Sequence, residues 1–380
     1  MVVRTDDAGN LIGRRQTNGE VNQVLAAFGA AVSEPKVLLI GSHLDTVPNA
    51  GKYDGILGVL IGLAVVEAVK DIALPFAIDV IGFSEEEGVR FSLPYIGSRA
   101  IAGSFEAEWL ERRDEAGVSL REAITAFGLD PNNILNAAYN PSQVLGFIEA
   151  HIEQGPVLEH TGLPVASVTS IVGQSRLVVT FLGKAGHAGT TPMTMRQDAL
   201  VGAATWIECV HETGCSVEGL RATVGRIAAW PNASNVIPDR VELSLDVRHA
   251  SDETRLETID KLLEAGSSIA LSRGLTFEVR QRGDSDSVAV CPRLEALISE
   301  SIAAHALASR NAPSPLRMVS GAGHDAVVMG SRFPMTMLFI RHPGGVSHHP
   351  DERVDCSDVQ VAVEVLIEFV KRLANQERNA

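Results

Sequence analysis

Short apolar runs along the chain stop at polar residues that a plain strand end does not require. Val37 to Gly41 leads into Ser42-His43-Leu44-Asp45, and Phe76 to Phe83 leads into Ser84-Glu85-Glu86-Glu87. Val144 to Ala150 leads into His151-Ile152-Glu153, and Thr336 to Ile340 precedes Gly344-Gly345 and then Ser347-His348-His349. Runs of this length read as buried strands. The apolar stretch Ile56 to Val66, 11 residues long, reads as a buried helix, because a membrane span needs about 20. Strands separated by helices predict an α/β sheet, whose ligands bind at the carboxyl ends of its strands. The polar residues stand where such a site is expected.

The middle of the chain has a different rhythm. Arg176 to Leu182 reads as a strand, Arg196 to Glu212 as a helix, Arg221 to Ala228 and Arg240 to Arg248 as strands, Asp252 to Leu271 as a helix and Leu275 to Gln281 as a strand. The order β-α-β-β-α-β is the split βαβ pattern of a ferredoxin-like α+β sandwich. It predicts a second domain over 173–286, inserted into a discontinuous catalytic domain made of 1–172 and 287–380.

Composition narrows the class of protein. The 380 residues are enough for about two or three domains. Hydrophobic residues at 45 % and charged residues at 21 % match globular averages and exclude wholesale disorder. Acidic residues outnumber basic ones 47 to 32, for a net charge of −15, and no Lys/Arg run offsets that field, so neither nucleic acid nor an anionic membrane is expected as a partner. The four cysteines lack CxxC spacing, and no basic segment followed by an apolar one opens the chain. A cytoplasmic location is the expectation.

His43 and Asp54 follow the first strand, with Asp45 two residues beyond His43. Imidazole and carboxylate together suit zinc, manganese, cobalt or nickel, and a metal-bound histidine needs a second group to fix its tautomer, a place Asp45 can fill. Taken alone, His43 and Asp45 are equally compatible with capping the helix that starts near Ile56. Three adjacent carboxylates, Glu85 to Glu87, repel one another and call for a cation if buried; a solvated acidic loop is the other reading. His151 and His348 extend the set to four separate strand ends. Two metals bridged by one carboxylate can clamp a substrate oxygen and lower the pKa of a bound water, while a free carboxylate takes its proton.

Five blocks in order along the chain carry a resemblance: Gly41-Ser42-His43-Leu44-Asp45-Thr46-Val47, Tyr53-Asp54-Gly55, Phe83 to Phe91, His151-Ile152-Glu153-Gln154-Gly155-Pro156 and Ser347-His348-His349-Pro350. The chain resembles the binuclear metallo-amidohydrolases, in the branch of allantoate amidohydrolases, N-carbamoyl-L-amino-acid hydrolases and beta-alanine synthase. The resemblance implies a metallo-aminopeptidase-like catalytic domain, a mixed sheet flanked by helices, with the inserted domain serving as lid and dimerisation module of a homodimer. It implies two divalent ions, Mn2+ or Zn2+. His43, Asp54 and His151 hold one, and Asp54, Glu87 and His348 the other, with Asp54 bridging. It makes Glu86 the general base and Asp45 the partner of His43, and leaves Glu85 peripheral.

The same resemblance assigns roles elsewhere. Gly186-His187-Ala188-Gly189 resembles the segment whose histidine stabilises the developing oxyanion, often in the other subunit's site. Asn235, Arg248 and Gln154 match positions that bind the ureido and carboxylate groups of a small substrate. The loop Ser320-Gly321-Ala322-Gly323-His324-Asp325 resembles active-site wall, with Gly323 and His324 against the ligand; a buried His324 bonded to Asp325 is the competing expectation. Gly173-Gln174-Ser175-Arg176 resembles allantoate amidohydrolases, where carbamoylases carry apolar residues, so the implied reaction is cleavage of allantoate's ureido C–N bond to ureidoglycine, ammonia and carbon dioxide, with N-carbamoyl-L-amino acids as the alternative substrates. Relatives have some tens of largely helical residues before the stretch matching Val3 to Leu11, so a helical flank of the catalytic domain is expected to be missing or replaced.

Overall fold

The computed structural model describes residues 1–17, 35–308 and 314–379, which divide into two compact units: Met1–Ser170 with Ala289–Ala380, and Ile171–Val288. In the first unit a mixed sheet runs in the order Val2–Thr5, Leu11–Arg15, Ala77–Phe83, Val37–His43, Val144–Ile152, Met335–Ile340 and Val165–Ile171. The four strands Ala77–Phe83, Val37–His43, Val144–Ile152 and Met335–Ile340 are mutually parallel, so their carboxyl ends share one edge. Each is buried along its whole length, the signature of a sheet covered on both faces. The apolar stretch forms the helix Ile56–Ala68, buried on one face while Leu60 and Leu63 are exposed, and it packs with the helices Pro292–Ala308 and Cys356–Asn379 against Leu38, Ile40, Ile78, Val80, Ile148, Leu338 and Ile340.

At the sheet's edge Val2–Thr5 and Leu11–Arg15 form an antiparallel hairpin, which joins Ala77–Phe83. Arg15 reaches from it to the carbonyls of Val69, Lys70 and Ile72 just beyond the Ile56–Ala68 helix. A guanidinium there satisfies acceptors that the helix end leaves open.

The second unit holds a five-stranded antiparallel sheet in the order Ile227–Trp230, Arg240–His249, Gly173–Leu182, Thr276–Ser285, with the fifth strand, Arg221–Thr223, also on Arg240–His249. Placing the last strand beside the first is the ferredoxin-like arrangement. The single strand expected over Arg221 to Ala228 is instead two short ones. With Thr223 opposite Asp246, an unbroken register would put Ile227 opposite Glu242, but Ile227 faces Leu243, so one residue is accommodated as an irregularity around Gly225. The helix expected from Arg196 starts at Ala199, because the Asp198 side chain accepts the N–H groups of Leu200 and Val201 and fixes the cap there.

Alternation in Arg240–His249 buries Val241, Leu243, Leu245 and Val247 and turns Asp246 and Arg248 to the other face. The buried set meets Phe181, Trp206 and Leu262 in one core. Trp206 is fully buried and donates its Nε1–H to the Leu262 carbonyl at 2.8 Å. Trp206→Ala removes both the ring and that donor, and is expected to lower stability by about 3–5 kcal/mol. Urea denaturation measures this directly, and a change under about 1 kcal/mol would contradict the assignment of Trp206 as the centre of this core.

Candidate active site

Because the four parallel strands end at one edge, they deliver their polar residues together. His43 closes its strand, Glu85 to Glu87 follow Phe83, His151 is next to last in Val144–Ile152, and His348 lies in the loop after Met335–Ile340. Ligand atoms of His43, Asp54 and His151 lie within 4.8 Å of one another, as do those of Asp54, Glu87 and His348. Asp54 belongs to both groups. Its Oδ1 stands 3.1 Å from His151 Nε2 and 3.7 Å from His43 Nε2, and its Oδ2 is 3.2 Å from His348 Nε2. His43 and His151 turn their Nε2 atoms toward each other at 3.4 Å, and their Nδ1 atoms are tied to the carbonyls of Asp45 and Ile152, both at 2.9 Å. That pairing leaves both Nε2 atoms facing Asp54.

The electrostatics follow from burial. Asp54 is buried, which alone would raise its pKa, but His151 and His43 hold the carboxyl well below the ordinary range. Burial opposes protonation of His43, yet Asp54 and the acidic neighbours Glu86 and Asp325 keep its pKa well above normal. Glu87 Oε1 is buried without a hydrogen-bond partner, 3.6 Å from His348 Nε2. Convergent imidazole nitrogens and carboxylate oxygens, one of them orphaned, fit a borderline divalent cation and disfavour magnesium or calcium.

Glu86 stands apart from both groups. It is buried, and burial pushes its carboxyl well above the usual range, with His43 opposing. Asp45 relates to this centre differently from the expectation. Its carbonyl is the nearer partner of His43, whereas its carboxylate lies 3.7 Å from His43 Nδ1 and accepts the backbone N–H groups of Glu86 and Glu87, both at 3.0 Å. Asp45 thus fixes the turn that separates the two glutamates. Glu85, Gln154 and His348 have positive φ values of 52°, 54° and 57°. Such backbone is costly for non-glycine residues and clusters where a site demands a particular side-chain direction.

Gln154 donates its Nε2 to Asp54 Oδ2 at 3.1 Å and to Ser347 Oγ at 2.9 Å. His324 is buried, with its ring edge-on to His151 at 4.4 Å and its Nε2 2.8 Å from the Ser320 hydroxyl. Of the two expectations for His324, burial holds, but its bond goes to Ser320 and not to Asp325. Gly323 backs onto the Tyr95 hydroxyl so closely that a Cβ would overlap it. Glu149, fully buried, accepts from the Ser42 hydroxyl and the Ala326 N–H, and it was legible as an acid inside an apolar strand.

In the second unit, His187 and the Asn235 segment come together. Gly186–His187 pairs with Val236–Ile237, and the Asn235 carbonyl accepts the Ala188 N–H at 3.0 Å. His187 is exposed, with Nδ1 accepting the Gly189 N–H at 3.1 Å. Arg176 and Arg248 share one face of the sheet with Gln174, and all three donate to Asp246. Arg176, expected as a polar donor to the substrate, has a side chain 63 % exposed and sits 3.4 Å from Asp246 Oδ2.

A mixed α/β sheet presenting paired His and carboxylate groups at its parallel strand ends defines a metal-dependent hydrolase. The chain belongs to peptidase family M20/M25/M40, whose model matches residues 39–372. Its relatives place it in the amidohydrolase branch that acts on C–N bonds other than peptide bonds. It is 39 % identical over 374 residues to the allantoate deiminase of Arabidopsis thaliana, covering 89 % of this chain and 70 % of that protein. It is 38 % identical over 380 residues to the N-carbamoyl-L-amino acid amidohydrolase of Geobacillus stearothermophilus, covering 99 % and 88 %. The solved hydantoinase/carbamoylase family amidase from Burkholderia multivorans superposes with a TM-score of 0.87 at 31 % identity, covering 98 % of this chain and 86 % of that one. Among the described residues no helix is long and apolar enough to cross a membrane.

Proposed function

We propose that the enzyme hydrolyses the ureido C–N bond of allantoate, giving ureidoglycine, ammonia and carbon dioxide. The observation that carries this reading is the polar face of Gln174, Arg176 and Arg248 gathered around Asp246. Two guanidiniums against one carboxylate leave net positive charge, which suits a substrate bearing a carboxylate and two polar ureido groups. An N-carbamoyl-L-amino acid with an apolar side chain offers this polar face no group to recognise. The alternative reading as a carbamoylase is favoured by nearly equal identity to the two kinds of relative.

In the proposed centre His43, Asp54 and His151 hold one divalent ion, and Asp54, Glu87 and His348 a second, either Mn2+ or Zn2+. Bound ions of this kind supply polarisation of the carbamoyl oxygen and acidification of water. Glu86 accepts a proton from the attacking water and returns it to the leaving nitrogen. Asp45 keeps Glu86 off the ligand set by fixing the turn between Glu86 and Glu87. Arg248 and Arg176 bind the carboxylate, and Gln154 and Asn235 the ureido group, with Gly323 and His324 forming wall. His187 stabilises the developing oxyanion, serving the neighbouring site of a homodimer in which 173–286 acts as lid and dimerisation domain on 1–172 and 287–380.

Ammonia release from protein loaded with Mn2+ or Zn2+ tests the reading, comparing allantoate with N-carbamoyl amino acids of several side-chain types. A higher kcat/KM for allantoate is expected. Arg176→Leu is expected to cut that value by about tenfold to a hundredfold, the equivalent of one lost charge-assisted hydrogen bond of roughly 1.5–3 kcal/mol. A preference for carbamoyl amino acids that Arg176→Leu leaves untouched would move the assignment to the alternative.

A further inference from the structure

No step of the proposed reaction uses Glu352, an acid in the surface-like sequence His349-Pro350-Asp351-Glu352-Arg353. Yet Glu352 is only 5 % exposed. Its Oε1 accepts the backbone N–H groups of Tyr53 and Asp54 at 3.0 and 3.1 Å, and its Oε2 accepts the Ser347 hydroxyl at 3.4 Å. Ser347 Oγ in turn accepts from Gln154, which also donates to the Asp54 carboxylate. The Glu352 backbone N–H closes a turn on the carbonyl of His349, the residue after His348. These bonds form a ring that starts and ends on Asp54 and passes through the loop carrying His348.

Gly51 supplies an independent observation. A Cβ at that position would overlap the Glu352 Cβ, Cδ and Oε1, so the loop leading to Asp54 lies directly over the Glu352 side chain. Two segments far apart in sequence, each bearing a proposed ligand of the same ion, are thus pinned to each other through one carboxylate.

We propose that Glu352 is a positioning residue of the metal centre: it hooks the Tyr53-Asp54 backbone to the His348 loop, so that Asp54 and His348 are set for the ion before it binds. The proposal rests on the metal reading above. Groups that orient ligands in this way change metal affinity about 10- to 100-fold when removed. Because both N–H groups go to Oε1, an amide oxygen can replace it, and the amide NH2 can donate to the Ser347 oxygen in place of the bond Oε2 accepts. Glu352→Gln is therefore a conservative rescue, whereas Glu352→Ala is a loss.

The test titrates metal-free protein with Mn2+ alone and with Co2+ alone, reading affinity by chelator competition and ligand geometry from the visible Co2+ spectrum. Glu352→Ala is expected to bind both ions about 10- to 100-fold more weakly with an altered Co2+ spectrum, and Glu352→Gln within about threefold of the parent. Gly51→Ala, which displaces the same side chain, is expected to weaken binding similarly, and the double variant Gly51→Ala/Glu352→Ala to be no worse than Glu352→Ala. Parental affinity and spectrum in Glu352→Ala would overturn the proposal, and so would an equal loss in Glu352→Gln. Should Glu352→Ala fail to fold, Gly51→Ala decides: unchanged affinity overturns the hook. If the parent protein binds neither ion, the metal reading itself fails and takes this inference with it, whereas tight binding by parent and variants alike rejects Glu352 alone.

Discussion

Glu86→Gln is expected to lower kcat by about 10^2- to 10^4-fold while leaving the metal content of the protein unchanged. The two halves of that expectation come from different observations. Glu86 lies outside both groups of convergent ligand atoms, although its sequence neighbour Glu87 is inside one. The separation is built by Asp45, whose two carboxylate oxygens each take one N–H of the Glu86-Glu87 turn. Burial raises the Glu86 carboxyl well above the usual carboxylate range, with the His43 ring opposing. Glutamine keeps the shape and loses only that exchange. Steady-state kinetics beside metal analysis of the same sample check both halves. Activity and metal lost together would make Glu86 a ligand, and a kcat within about tenfold of the parent would place the proton acceptor elsewhere.

What the sequence made legible here has a physical boundary. His43, Glu85 to Glu87, His151 and His348 were readable as a cluster because they follow apolar runs, and parallel strands bring such run ends to one edge; the separate roles of the three glutamates came only from the resemblance. The insertion was read from the β-α-β-β-α-β order of its segments. Contacts set by loop backbone were not readable. Glu352 has no periodic neighbour to mark it as buried, and it acts through main-chain N–H groups, which every residue has. The same holds for Asp45, where distance along the chain pointed to the His43 ring and the turn geometry sends the carboxylate to two backbone donors. For Arg176 a further limit applies: composition names a charged residue, but only strand register reveals that Asp246 lies opposite it. The Ser320 partner of His324 was likewise not marked by any apolar pattern.

Asp54→Asn is expected to be the most damaging substitution in the centre, because this carboxylate belongs to both ligand groups. Oδ1 faces the Nε2 atoms of His151 and His43, and Oδ2 faces His348 Nε2 and the Gln154 amide. An asparagine has one acceptor and one donor end. Turned one way, its NH2 meets His151 and His43 where an anion should be. Turned the other way, it points at the Gln154 NH2, donor against donor, and breaks the ring through Ser347 and Glu352. Neither orientation supplies two anionic oxygens, so binding of both proposed ions weakens together. The loss is expected to exceed the 10- to 100-fold range of residues that merely orient ligands. Chelator competition and kcat, measured at saturating Mn2+ with folding verified by circular dichroism, should then fall together, and excess metal should restore little activity. Two metal equivalents bound by a folded Asp54→Asn with parental affinity would remove Asp54 from the bridging position and leave His43 with His151, and Glu87 with His348, as separate sites.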